Sequence, residues 1–154
     1  MKAKLIITAT LFFTSVISAQ NIEVPKEVKK TFSKKYPNIS DVKWSKENSD
    51  AFEAEFNLNG TKTSVVIKEE GNIEETESAI NIKDLPQNVV PYIKDNYAGY
   101  TITETAKIVD ENGNVFFEAE ISKEKTSKDL LFDTKGNPVK KQRESENESG
   151  DKDD

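Results

Sequence analysis

The stretch that decides the fold runs from Phe52 to Gly60 and reads Phe-Glu-Ala-Glu-Phe-Asn-Leu-Asn-Gly. Apolar side chains alternate with polar ones along it, and this period of two predicts a β-strand that buries one of its faces. The Asn-Gly pair at its end is the most specific short signal for a two-residue hairpin turn. We therefore expect Thr61 to Lys68 to return as an antiparallel partner strand.

A second copy of this pattern occurs at Phe117 to Ile121, which reads Phe-Glu-Ala-Glu-Ile. The correspondence extends to two longer segments, residues 24–77 and 85–141, in which Gly71 aligns with Gly136. A unit of about 60 residues buries too little surface to be stable alone, so the two units should share one sheet or one core. The predicted fold class is therefore α+β, with two tandem helix-plus-antiparallel-sheet repeats.

Each segment begins with a predicted helix, because its first apolar residues recur every four positions. Pro25 and Pro86 suit the first turn of these helices, where no backbone donor is needed. Pro91 lies within the second stripe and predicts a kink or a late start of that helix. The two stripes consist of Val24, Val28, Phe32 and Tyr36, and of Leu85, Val89, Ile93 and Tyr97.

The two ends of the chain predict processing and disorder rather than folded structure. Residues 1–19 combine two early lysines, an apolar stretch and a small residue at Ala19, as a secretory signal peptide does. The apolar stretch is too short for a membrane anchor, so we expect no membrane span in the mature form. Residues 142–154 lack apolar side chains and predict a disordered acidic tail, which leaves 20–141 as the folded domain. We expect an exported protein, periplasmic or extracellular.

The amino-acid composition excludes most catalytic chemistry. The chain of 154 residues contains neither His nor Cys, so it cannot form a Ser-His-Asp triad, a Cys nucleophile, a disulfide or a zinc site of the usual nitrogen and sulfur type. We predict no enzyme activity, no cofactor and no metal centre. The 28 acidic residues outnumber the 22 basic ones, which argues against nucleic acid as a partner. The sequence leaves the oligomeric state open.

Two motifs in the second segment resemble the PepSY-like family of exported Bacteroidetes proteins, also described as β-lactamase-inhibitor-like. They are Leu85-Pro86 and the Leu-Phe-Asp-Thr-Lys-Gly-Asn sequence at residues 131–137. The resemblance implies a tandem of helix-plus-sheet units. It also implies restraint of peptidases, which is the role attributed to PepSY domains. A further implication is an exposed sheet face, because related β-lactamase inhibitors bind an enzyme through such a face. Ile73 and Pro138 replace the aromatic residue that often follows Gly-Asn in the family, and the predicted outer face is acidic. Inhibition of a β-lactamase is therefore not carried over.

Four carboxylates and one aromatic residue form the candidate partner-binding site. Glu53 and Glu55 on the first strand correspond to Glu118 and Glu120 on its second copy, and the alternation places all four on the polar face. Phe116 is an aromatic residue among these acids and is the better contact candidate. The alternative is a solvated polar face, because any half-buried strand shows the same alternation.

The function predicted from these features is that of an exported, non-enzymatic binding protein. We expect its exposed sheet face to restrain or inhibit an envelope or secreted hydrolase. The alternative is a small-ligand or divalent-cation sensor in the periplasm that uses the same acids. The alternation of Asp110, Asn112 and Asn114 does not predict a calcium loop, since Val115 and Ile121 stand where such a loop needs Gly and a bidentate acid. We predict a hairpin turn there.

Overall fold

The computed structural model describes residues 22–139, which form two short helices and eight strands. The signal peptide predicted at 1–19 and the acidic tail predicted at 142–154 lie outside the described residues and stay predictions. A single turn of 3-10 helix at Ile82–Asp84 precedes the second helix. In chain order the elements are α1 (Lys26–Lys35), β1 (Val42–Lys46), β2 (Ala51–Leu58), β3 (Thr61–Lys68), β4 (Ile73–Ala79), α2 (Val89–Asn96), β5 (Thr101–Asp110), β6 (Val115–Lys123), β7 (Thr126–Phe132) and β8 (Pro138–Val139).

All eight strands belong to one antiparallel sheet, and each strand pairs with the next one in the chain. Between β2 and β3, Asn59 and Gly60 have φ angles of 53° and 87°. This is the left-handed conformation that a two-residue hairpin turn requires. The predicted hairpin is confirmed, and its expected second strand is β3 from end to end.

The predicted fold class, α+β with two tandem helix-plus-antiparallel-sheet repeats, is wrong. β4 pairs with β5 from Glu75 opposite Asp110 to Ala79 opposite Ala106, so the sheet continues without a break between the two segments. The helices contribute only ten and eight residues. The fold is therefore mainly β. The physical reason is that an unpaired edge strand exposes backbone donors and acceptors, and the pairing of β4 with β5 removes two such edges.

Proline determines where the helices begin. Pro25 directly precedes α1. In contrast, α2 starts at Val89, three residues after Pro86, so the expectation that Pro86 lies in its first turn is wrong. Pro91 then falls in the first turn of α2, where its missing N–H breaks no intrahelical hydrogen bond. The late start predicted from Pro91 is confirmed.

Both helices pack on the same face of the sheet, here called the helix face. Residues directly opposite each other share a face, and an unbroken row of such pairs joins Phe56 on β2 to Phe117 on β6. α1 packs into an apolar cluster around Phe32, and α2 packs into a second cluster around Ile93. The sheet is shared, but the apolar residues of the helix face form two clusters rather than one core.

The turn between β7 and β8 is built on one carboxylate. Asp133 Oδ1 accepts hydrogen bonds from the backbone N–H groups of Lys135 and Asn137, each at 2.8 Å, and Oδ2 accepts one from Asn137 Nδ2 at 2.9 Å. Asp110 makes the same set of bonds in the turn between β5 and β6, where its Oδ1 lies 2.7 Å from the N–H nitrogen of Asn114. The hairpin turn predicted at Asp110 is confirmed.

Gly136 allows the β7–β8 turn to approach the start of α2. Its φ angle is 79°, and a Cβ at this position would lie 3.1 Å from Asn88 Cβ and 3.2 Å from Pro86 Cβ. Asn88 Nδ2 also donates a hydrogen bond to the carbonyl oxygen of Lys135 at 3.2 Å. Gly113, in the β5–β6 turn, has the same φ angle, but a Cβ there would meet nothing within 4 Å. The two glycines therefore share a backbone conformation and differ in what surrounds them.

We predict that Gly136→Ala destabilises the protein more than Gly113→Ala. Both substitutions place a Cβ in the left-handed region, which costs about 1–2 kcal/mol. Only Gly136→Ala also forces a methyl group against α2, which raises the expected loss to about 2–4 kcal/mol. Urea unfolding followed by circular dichroism measures both values. Equal losses of stability at the two positions would show that the β7–β8 turn does not pack closely against the start of α2.

We also predict that the continuous sheet unfolds in one transition. Phe132 is fully buried in the cluster under α2, and the only tryptophan of the chain, Trp44, packs against the cluster under α1. Phe132→Ala should cost about 3–5 kcal/mol and lower the unfolding midpoint reported by Trp44 fluorescence. A Trp44 midpoint equal to that of the wild type would mean that the two halves unfold independently.

Candidate functional site

The face opposite the helices, here called the acidic face, carries all five residues predicted to bind a partner. An unbroken row of opposite residues joins Glu55 on β2 to Phe116 on β6 across the three intervening strands. The other three occupy alternate positions of the same two strands and so point to the same side. The structure brings the predicted residues onto one surface but leaves three strands between the two groups. The five residues are Glu53, Glu55, Phe116, Glu118 and Glu120.

Burial separates these residues into two kinds. Glu53 is 3% exposed, Glu118 5% and Phe116 8%, whereas Glu55 and Glu120 are half-buried. A solvated polar face, the alternative explanation of the alternation, would leave all four carboxylates open to water. The acidic face is therefore a partly enclosed surface on which two of the four predicted carboxylates are buried.

Phe116 packs within the chain rather than projecting from the acids around it. It forms a small apolar cluster with Ile108 and Leu131, and Val139 of β8 packs against this cluster. Its role as a partner contact stays a prediction, and little of its ring is exposed for such a contact.

Two further carboxylates lie between the predicted pairs and were missed by the sequence analysis. Glu75 and Glu77 on β4 are 2% and 1% exposed. β4 reads Ile-Glu-Glu-Thr-Glu-Ser-Ala, in which apolar and polar residues do not alternate, so the period of two is absent. The turn at Gly71-Asn72 is the signal that could have found them. A strand that follows such a turn pairs with β3 and places every second residue on the acidic face.

The carboxyl group of Glu53 is shifted toward its neutral form. Burial, together with the nearby charges of Glu55 and Glu47, raises its pKa to about 7. Hydrogen bonds from the side chains of Ser64 and Ser45 act in the opposite direction, and the Ser45 hydroxyl lies 3.2 Å from Glu53 Oε2. Loss of solvation therefore outweighs the hydrogen bonds at this position.

The carboxyl group of Glu77 is buried, and neither of its oxygens has a hydrogen-bond partner within the described chain. Burial raises its pKa well above the ordinary value, and the neighbouring Glu118, Glu75, Glu53 and Asp129 raise it further. Like charges at close range cannot all ionise together, so the folded protein favours the neutral form of Glu77.

A groove with a volume of about 580 Å³ opens on the acidic face, and Glu77 lines it. The charged groups around this groove are unbalanced, because the lining residues of the described chain include five carboxyl groups and one ammonium group. These residues are Glu77, Glu104, Glu118, Glu120, Asp129 and Lys62.

Small side chains on two neighbouring strands leave the space for the groove. Ala79 on β4 lies opposite Ala106 on β5, and Ala106 lies opposite Glu118 on β6. Two methyl groups fill little of the volume above the sheet, so an opening remains between the side chains of β4 and β6. Ile82 also lines the groove and is 49% exposed, a large apolar side chain in contact with water.

The described residues contain neither a metal-binding group of acids nor a membrane-spanning helix. Within residues 22–139, no group of three or more acidic side chains is arranged to hold a metal ion. No helix in that range is long and apolar enough to cross a membrane.

Comparison with known proteins gives matches in structure but not in sequence. No protein-family model matches the chain, and no curated protein matches its sequence. A DUF2874 family protein from Bacteroides uniformis superposes with a TM-score of 0.66 at 19% identity, over 77% of this chain and 88% of that one. A predicted periplasmic protein from Bacteroides eggerthii gives 0.67 at 16% identity over the same shares. A BLIP-like protein from Bacteroides fragilis gives 0.59 at 18% identity, over 84% of this chain and 93% of that one.

These likenesses establish the fold alone. The resemblance noted in the sequence is confirmed at the level of a BLIP-like, that is β-lactamase-inhibitor-like, fold. A PepSY relationship is not shown by any of these structures. The similar chains include one described as a predicted periplasmic protein and one described as BLIP-like.

We predict that the protein loses stability as the pH rises through the range in which Glu53 ionises. In the unfolded chain this group ionises near 4.5, and in the folded protein near 7. Between these values the folded state holds the proton and the unfolded state does not, so the free energy of unfolding falls with pH by on the order of 3 kcal/mol.

Glu53→Gln should remove this contribution. The variant should be more stable than the wild type near pH 8 and should show a shallower decline between about pH 5 and pH 8. Glu69→Gln, in the exposed turn after β3, is the control because it makes the same replacement at a solvent-exposed position. Urea unfolding at several pH values measures the effect, and an unchanged slope in Glu53→Gln would contradict the assignment.

Proposed function

We propose that this protein is an exported, non-enzymatic binding module whose acidic face engages another protein. The groove of about 580 Å³ on that face is the observation that carries the proposal. Both helices of the described chain occupy the opposite face, so neither of them covers the groove. The excess of carboxyl groups on this exposed surface favours a partner protein of complementary positive charge.

The side-chain chemistry of the face supports binding rather than catalysis. The sequence contains neither His nor Cys, so carboxyl groups would have to perform any acid-base chemistry. Catalysis by carboxyl groups alone needs one protonated acid and one ionised base, with pKa values pushed apart. The raised pKa values of Glu53 and Glu77 favour the neutral form of both groups, so neither of them suits the role of the ionised base.

The similar structures support the setting and the class of partner. One is a predicted periplasmic protein and another is BLIP-like. We place this protein in the periplasm or outside the cell and propose an envelope or secreted hydrolase as the partner, restrained by the contact. The PepSY-like relationship, indicated by Leu85-Pro86 and residues 131–137, is part of the same proposal.

We predict that a photo-crosslinker on the acidic face captures a partner that one on the helix face does not. Ser127 and Lys128 are adjacent and exposed on β7, and their side chains point to opposite faces of the sheet. Benzoylphenylalanine at position 127 should yield a specific adduct in intact cells, identified by mass spectrometry. The same residue at position 128 is the matched control.

The outcome at the two positions decides the proposal. An adduct of one defined protein at position 127 alone supports it, and its weakening by Glu118→Lys would place the contact near the groove. Equal adducts at both positions, or none at position 127, would contradict binding through the acidic face.

A small-ligand or divalent-cation sensor is the second candidate. The observation that favours it is the volume of the groove, which falls within the range of about 300–1,000 Å³ that is typical of small-molecule sites. Titration with calcium chloride, followed by the melting temperature, tests the cation form of this function. A concentration-dependent rise in the melting temperature would support it.

A further inference from the structure

The carboxyl group of Glu77 lacks what a buried carboxyl group normally has. It is almost completely withdrawn from water, and neither oxygen has a hydrogen-bond partner in the described chain. An unsatisfied buried polar group costs about 1–3 kcal/mol, and more when it is charged. Because Glu77 lines the groove, a donor that enters the groove can supply the missing hydrogen bonds.

The charges around the groove determine which charge that donor should carry. Lys62 is the one basic residue among the described residues of the lining, against five carboxyl groups. Complementary charge lowers the energy of the correct partner and raises that of a like-charged one. The groove therefore favours a cation over a neutral or anionic group.

The apolar part of the lining distinguishes between kinds of cation. Ala79 and Ala106 lie beside Glu77 and Glu118, and the exposed Ile82 belongs to the same lining. The aliphatic stems of Lys and Arg cover apolar surface while their charged ends reach polar groups. A hydrated metal ion gains nothing from such walls, and no group of acids within residues 22–139 is arranged to hold one.

Resting on the proposed function, we propose that the groove receives one basic side chain of the partner protein, with Glu77 as its counter-ion and Ala79, Ala106 and Ile82 as the walls for its stem. Arg fits better than Lys, because its planar guanidinium donates two parallel hydrogen bonds to a carboxylate. Both unpartnered oxygens of Glu77 are then satisfied by one group.

Binding of this cation is coupled to the release of a proton. The ion pair needs the ionised form of Glu77, whereas the free protein favours the neutral form. Affinity should therefore increase with pH. The charged groups that face Glu77 or line the same groove are Glu53 on β2, Lys62 on β3, Glu75 on β4, Glu104 on β5, Glu118 and Glu120 on β6, and Asp129 on β7.

The test is a nuclear magnetic resonance titration of the 15N-labelled protein with the peptide acetyl-Gly-Arg-Gly-amide, at low salt and about pH 8. We expect saturable shifts of the amide signals of Ala79, Ile82 and Ala106. The matching citrulline peptide has nearly the same shape without the charge and should cause no saturable shifts. At about pH 5.5 the arginine peptide should bind more weakly.

Three variants distinguish binding in the groove from an effect of the protein's overall charge. Glu77→Gln should weaken binding by at least about tenfold, since the amide cannot form the ion pair. Glu69→Gln makes the same Glu-to-Gln replacement on an exposed turn and should alter binding by less than about twofold. Ala106→Leu fills the groove without changing the charge and should also abolish the shifts, which keeps the test valid if one variant folds poorly.

The outcomes are distinct. Equal shifts with the citrulline peptide, or wild-type affinity in Glu77→Gln, would overturn the proposal. Saturable shifts of the same amides with calcium chloride, and none with the arginine peptide, would overturn it in favour of a metal ion.

The crosslinking experiment keeps the two proposals apart. A partner captured at position 127 without any binding of the arginine peptide leaves the proposed function standing and overturns the basic-side-chain site. Binding of the arginine peptide without a captured partner overturns the proposed function and assigns the groove to a small cationic ligand instead.

Discussion

The pairing of β4 with β5 is the interaction on which the rest of the structure depends. It joins what would otherwise be two four-stranded sheets into one, and it removes the two edges that those sheets would expose. Because the sheet is continuous, both helices lie on one face and the carboxylates of β2, β4 and β6 lie on the other. The pair Ala79 and Ala106, whose small side chains leave the groove open, belongs to this contact. The architecture and the candidate site thus arise from the same set of strand pairs.

The burial of several carboxyl groups on the acidic face costs free energy, and a surface with only a structural role would not need this cost. Glu53, Glu75, Glu77 and Glu118 are all buried on it, although Glu is among the residues least often buried. Protonation relieves part of this cost, because a neutral carboxyl group has no like-charge repulsion and loses less solvation on burial. The two apolar clusters of the helix face supply stability that offsets the cost of the buried carboxyl groups. The buried carboxyl groups of this face repel one another when they are ionised. Such a face is suited to a partner that carries positive charge.

Local features of the fold were predictable from the sequence, and contacts between distant segments were not. Asn59-Gly60 and Pro91 each act within a few residues, so the hairpin and the late helix start followed from them directly. The alternation at Glu53 and Glu118 gave the direction of these side chains but not their depth, because burial depends on neighbouring strands. Glu77 was missed for a related reason, since β4 has no alternation of its own and takes its orientation from pairing with β3 and β5.

Recognition likewise depends on side chains that the backbone fold does not determine. Structures at 16–19% identity share the arrangement of strands, so backbone pairing survives extensive change of side chains. The groove, in contrast, depends on two alanines that face each other and on one glutamate beside them. Enlarging either alanine would fill the opening, whereas the strand pairs are held by backbone groups that every residue except proline carries. Under the proposed function, side-chain volume and charge on the acidic face would set partner choice, and the sheet would supply the rigid surface that holds those side chains.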